Sequence, residues 1–160
     1  MLKQLLRHII HTGRVSETEL APVQAQEKPS FPSRSVHLRH LDVGSCNGCE
    51  LEINACFSSI YDIERFGIAL AASPRHCDGV LITGVVTKNM LRPLHQTIAA
   101  VPAPKRLIAI GDCAINGGPF LKSYAVEGTP TDLVPLDLTV PGCPPDPATI
   151  VAALRQLSGK

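Results

Sequence analysis

Four of the six cysteines in this 160-residue sequence stand where thiolates can act together. They are Cys46 and Cys49 in a Cys-Asn-Gly-Cys run, Cys113 in Gly-Asp-Cys, and Cys143 in Pro-Gly-Cys-Pro-Pro. Thiolates ligate iron-sulfur clusters and zinc, and a Cys-X-X-Cys pair can also exchange disulfides. An exchange pair needs no further cysteines. A zinc ribbon normally offers a second closely spaced pair, whereas Cys113 and Cys143 are single residues in separate segments. The set points to an iron-sulfur cluster, with zinc as the alternative. Cys56 and Cys77 are assigned to the core, Cys56 because it shares a helix face with Ile53 and Phe57 and because a free cysteine packs as a small hydrophobe.

The elements around these residues alternate between strand and helix patterns from Val36 onward, the signature of an α/β domain with a mainly parallel sheet. Strands are predicted at Val36–Val43, Gly67–Ala72, Gly79–Val85, Arg106–Ile110 and Leu136–Val140. One predicted helix places Ile53, Cys56, Phe57 and Ile60 on a face, and a second does so with Leu91, Leu94, Ile98 and Val101. A last helix opens with Asp146 as N-cap and Pro147 at its first position, then buries Ile150, Val151 and Leu154. All four cysteines then fall in loops that follow strands. In a parallel sheet such loops open on one edge, where residues distant in sequence converge.

The loops have the composition such a site needs. Gly44, Gly48, Gly111, Gly117, Gly118 and Gly142 permit positive φ and close backbone approach, and are expected to leave amide N–H groups free to face cluster sulfurs. Pro141, Pro144 and Pro145 stiffen the last ligand loop. The helix start at Asp146 directs the positive end of a helix dipole toward an anionic cluster.

Residues 1–35 read differently. Leu2, Leu5, Leu6, Ile9 and Ile10 form an apolar helical stripe beside Lys3, Arg7, His8 and His11, and a stretch with Pro22, Pro29 and Pro32 follows. This is an amphipathic helix and linker arm that can pack on the domain of residues 36–160, on a partner protein or on a membrane surface. A net charge of +1 argues against a nucleic-acid binder. No apolar run reaches the roughly 20 residues of a membrane span. Without a visible secretory signal, the cysteines are expected to sit in a reducing cytoplasm.

Four ordered motifs carry a family resemblance: DVGSCNGCELEI at Asp42 to Ile53, SPRHCDGVLITGVVTKNM at Ser73 to Met90, GDCAINGG at Gly111 to Gly118, and VPGCPPDP at Val140 to Pro147. The chain resembles the small subunit of energy-converting [NiFe]-hydrogenases, a family shared with the 20 kDa subunit of NADH-quinone oxidoreductase. The resemblance covers nearly everything from Val36 onward. It implies a flavodoxin-like α/β fold, a mainly parallel sheet with helices on both faces, and one [4Fe-4S] cluster at the C-terminal edge of the strands. The ligands it implies are Cys46, Cys49, Cys113 and Cys143.

The expected role is that of a non-catalytic electron-transfer subunit, peripheral on the inner face of the cell membrane. Implied partners are a large subunit carrying the [NiFe] site, a ferredoxin-like iron-sulfur subunit and membrane-embedded subunits. Complex I subunits of this family typically carry two adjacent cysteines in the first motif, whereas hydrogenase small subunits carry Cys-X-X-Cys. This favours a hydrogenase of the formate-hydrogenlyase or hydrogenase-4 type over a subunit delivering electrons to quinone. The longer small subunits of uptake hydrogenases have a second domain with further clusters, and two spare cysteines are too few for one here. Hydrogen activation therefore falls to partners, and a zinc-stabilised binding module is the reading from another class.

Four further residues stay open. Arg75 and His76 can place positive charge near the cluster or near a quinone-like pocket, or line a solvated loop. Glu50 and Glu52 can pass protons or bond a large subunit, or simply complement the first turn of a helix. The glycines near Cys113 resemble a phosphate-binding turn only weakly, since no Lys followed by Ser or Thr is present.

Overall fold

A computed structural model describes residues 35–158. The amphipathic helix expected near the N-terminus lies outside the described residues. Seven strands and five helices follow in order: β1 (Val36–Asp42), α1 (Gly48–Cys56), β2 (Ile68–Leu70), β3 (Gly79–Thr83), β4 (Val86–Thr87), α2 (Lys88–Ala100), β5 (Arg106–Ile110), α3 (Asp112–Asn116), β6 (Val126–Gly128), α4 (Pro130–Leu133), β7 (Leu138–Val140) and α5 (Pro147–Ser158).

Five strands form one wholly parallel sheet in the order β2-β1-β3-β5-β7. Counted along that sheet alone, this is the 2-1-3-4-5 order of flavodoxin-like domains, in which ligands sit beyond the carboxyl ends of the strands. The register makes that edge level: Asp42 is paired with Thr83, Thr83 with Ile110, and Ile110 with Val140. Chain segments leaving β1, β5 and β7 therefore start from one row.

Helices cover both faces, which explains the continuous apolar runs. Every residue of β3 is buried, as a central parallel strand requires. Leu81, Ile108 and Ile110 pack with Ile53 and Cys56 of α1 and with Ile150 and Leu154 of α5. Val80, Ile82 and Leu107 turn to the other face, against Leu94 and Ile98 of α2. At roughly 25 cal/mol per Å² of apolar surface, each such side chain contributes about 2 kcal/mol.

Some elements differ from expectation. The first predicted helix stops at Cys56, and Ile60 is 81% exposed. Phe57 N and Ser58 N bond back only three residues, to the carbonyls of Asn54 and Ala55, so the chain tightens out of α-helical geometry before another turn can form. β2 and β7 are shorter than predicted, and β4 pairs antiparallel with β6 in a small second sheet. No described helix is long and apolar enough to cross a membrane.

Candidate metal centre

The fold brings all four sequence-predicted thiols to one edge. Two of them are not in loops. Cys49 lies in the first turn of α1 and Cys113 in the short helix α3, while Cys46 lies in the loop before α1 and Cys143 in the loop between β7 and α5. Helical placement buries the first pair, to 9% and 7% exposure, and leaves the loop pair exposed. Cys56 and Cys77 are buried elsewhere, their thiols donating to the carbonyls of Glu52 and Ser73, as expected of core residues.

Proximity among the four is visible in their electrostatics. Burial pushes the Cys49 thiol up to about 12, with further upward contributions from Glu50 and from Cys113, Cys46 and Cys143. The Cys113 thiol is raised first by burial and then by Cys143 and Cys46. Four thiols that oppose one another's ionisation are a set that a cation stabilises, since thiolate ligation removes the proton outright.

The backbone makes room for the sulfurs. A Cβ on Gly111 would run into Cys49 Sγ, and a Cβ on Gly118 would lie 3.1 Å from Cys113 Sγ. Gly48 lies between Cys46 and the last ligand loop, its hypothetical Cβ 3.6 Å from Cys46 Sγ and 3.8 Å from Pro144. These cradles, with an all-sulfur donor set, fit an iron-sulfur cluster. Among the described residues no three His, Cys, Asp or Glu side chains converge tightly enough for a single metal ion.

Five of the six glycine amides are not free, contrary to expectation, Gly48 being the exception. Gly44 N donates to Asp42 Oδ1, Gly111 N to Val140 O, Gly117 N to Cys113 O, Gly118 N to Asn116 Oδ1 and Gly142 N to Asp112 Oδ1. Their bonds hold the loops in shape, and the glycines serve the site through missing side chains. The start of α5 is likewise already met by an anion: Asp146 accepts from Thr149 N at 3.0 Å and from Thr149 Oγ1 at 2.6 Å, and these bonds lower its pKa.

Glu50 points inward. Its Oε2 accepts from Ser45 Oγ at 2.7 Å, its Oε1 receives a short hydrogen bond from the fully buried Thr83, and His40 Nε2 lies 3.5 Å away. The residue beside Cys49 thus ties the ligand loop to β3 and β1. Sequence reasoning missed Thr83 and His40, although they stand two register positions apart on adjacent strands. Glu52 is half-buried on α1. Arg75 and His76 are exposed in a turn before β3, at the edge opposite the cysteines, where a solvated turn is the reading that fits.

The family of the NADH ubiquinone oxidoreductase 20 kDa subunit matches residues 46–157, a span that includes all four cysteines. The chain belongs to that family. Among its relatives, formate hydrogenlyase subunit 7 of Escherichia coli is 46% identical over 126 residues, covering 79% of this chain and 49% of that one. The probable membrane-bound hydrogenase subunit mbhJ of Pyrococcus furiosus is 42% identical over 132 residues, 80% of this chain and 79% of that protein. A solved chain of the membrane-bound sulfane sulfur reductase, an archaeal respiratory complex, superposes with a TM-score of 0.68 at 33% identity, covering 79% of this chain and 70% of that chain. Oxidoreductase complexes are thus the setting in which this family's members are found.

Proposed function

We propose that the chain is the electron-transfer small subunit of a membrane-associated [NiFe]-hydrogenase complex, holding one [4Fe-4S] cluster through Cys46, Cys49, Cys113 and Cys143. The cluster supplies reversible one-electron storage when bound. The buried pair Cys49 and Cys113 anchors it against the sheet edge and excludes water there. The exposed pair Cys46 and Cys143 leaves its other side open to a neighbouring subunit, as a relay between two other redox groups needs. Electrons would pass between the [NiFe] site of a large subunit and a ferredoxin-like subunit, with membrane-embedded subunits anchoring the assembly at the inner face.

The observation that carries this reading is the convergence of four thiols, two buried and two exposed, at the carboxyl edge of one parallel sheet. The Cys-X-X-Cys spacing and the hydrogenase relatives favour the hydrogenase setting. The family match favours, as a second reading, a complex I-type subunit that delivers electrons to quinone. A neighbouring gene for a large subunit with two Cys-X-X-Cys motifs supports the first, and its absence the second.

Purified protein is expected to be brown and to give an EPR signal after dithionite. Cys113→Ser or Cys143→Ser should lose or convert that signal, and Cys56→Ser should keep it. A colourless protein with stoichiometric zinc would overturn the proposal in favour of a zinc-stabilised module.

A further inference from the structure

The last ligand loop, Pro141-Gly142-Cys143-Pro144-Pro145, contains three prolines and therefore only two backbone N–H donors. One of them, Gly142 N, donates to Asp112 Oδ1 at 2.8 Å, and Asp112 N donates in return to Gly142 O at 2.8 Å. The two bonds close a ring between the residue before Cys113 and the residue before Cys143, thirty positions apart. Just below it, Gly111 N donates to Val140 O at 2.8 Å, so the ring extends the β5–β7 pairing one step past the sheet, with a side chain standing in for a strand carbonyl. Only glycine fits at 142: its φ is +137° and a Cβ would meet Pro145 Cα at 2.6 Å.

We propose that Asp112 is the positioning residue of the Cys113–Cys143 half of the site. Its carboxylate oxygen, by receiving the Gly142 amide, sets the spacing between the two thiolates, and its negative charge lowers the reduction potential of the cluster they hold. The inference rests on the reading of the four cysteines as ligands of one cluster. The Gly142 amide stands one residue before Cys143, so loss of its acceptor is felt at the adjacent ligand. Outer partners of this kind typically change metal retention by roughly 10- to 100-fold when removed.

The test compares Asp112→Ala and Asp112→Asn with the parent protein as purified holoprotein. Three quantities are read: the rate of iron loss to a chelator, the EPR line shape after dithionite, and the midpoint potential from a redox titration. Asp112→Ala should lose iron about tenfold faster or more and show an altered line shape. Asp112→Asn keeps an acceptor oxygen and removes the charge, so iron retention and line shape should return to those of the parent while the potential rises. Parent-like iron loss in the Ala variant, or an Asn variant as leaky as Ala, would overturn the positioning role. If the Ala variant does not accumulate, an Asn variant with an unshifted potential overturns the inference by itself. A parent protein without a cluster is a failure of the prior reading and is seen before any variant is compared.

Discussion

Between Asp42 and Glu50 the ligand segment is held mainly by side chains, whereas the stretches 111–118 and 140–145 are held mainly by backbone hydrogen bonds and by contacts that leave no room for a Cβ. In the first half, Asp42 Oδ1 accepts from Gly44 N and Ser45 N, Ser45 Oγ accepts from Asn47 N, and Glu50 gathers Ser45 and Thr83. In the second half, positive-φ glycines at 111, 117, 118 and 142, against one at 44 in the first, define the path together with Pro141, Pro144 and Pro145, with Asp112 as the cross-link. The difference teaches where tolerance lies. A polar side-chain network can lose a member and relax, but a backbone path whose shape depends on missing Cβ atoms cannot accept one.

The largest expected effect tests that contrast directly. Gly111→Ala puts a methyl where Cys49 Sγ sits and asks alanine to adopt a φ of +90°, so cluster incorporation should be lost. Gly48→Ala in the first half meets only ordinary contacts, at 3.6 Å and beyond, and its φ is not positive. As the opening residue of α1 it should gain up to about 1 kcal/mol from alanine's lower backbone entropy. Iron and sulfide content, with denaturant midpoints, checks both. A Gly111→Ala protein with a full cluster breaks the comparison, and cluster loss in Gly48→Ala would mean that the bound group fills the space beside Gly48.

Of intermediate size is the removal of Glu50. Glu50→Ala leaves the Thr83 hydroxyl fully buried with only His40 Nε2 at 3.0 Å as partner, and it releases Ser45 Oγ to water. Losing a charge-assisted bond to a buried hydroxyl should lower the unfolding free energy by about 2 kcal/mol. Cluster retention should suffer less than in Asp112→Ala, since Asp42 and Ser45 still shape the loop. Urea unfolding together with chelator kinetics separates the two effects. Equal iron loss in the two variants would show that the halves are not built differently after all.

Much of this was legible in the sequence, and the parts that were not share a cause. The buried strands announced themselves through runs such as Val80-Leu81-Ile82 and Leu107-Ile108-Ala109-Ile110, because a parallel strand covered on both faces needs apolar residues at successive positions. The four thiols were legible because each comes soon after a predicted strand. Contacts that depend on a second segment were not. Glu50 reads as an ordinary first-turn acid until Thr83 from β3 is seen to reach it, and nothing marks Asp112 until Gly142 arrives from thirty residues away. β4 spans two residues, too few to carry any periodicity. The glycines were recognised for their freedom, but the use of their amides depends on acceptors that only the folded register supplies.

The smallest expected effect concerns His40, which joins the first half to the sheet. Its ring is 25% exposed, and burial lowers its pKa below 6.5, with the attraction of Glu50 opposing that shift in part. Because the folded value lies below the unfolded one, the unfolded chain takes up the proton first as pH falls. Stability from this residue is therefore complete above the unfolded pKa and is lost as pH drops from 6.5 toward the folded value, below which the loss stops. A His40→Gln variant has no such proton to exclude. Urea midpoints taken between pH 7.5 and pH 5.5 should fall more for the parent than for the variant, the other histidines and the cluster being common to both. If the two fall in parallel, the His40 ring is exchanging its proton as freely in the folded protein as in the unfolded chain. The side-chain network of the first half would then be open to water on its β1 side, and its rigidity would rest on Glu50, Ser45 and Thr83 alone.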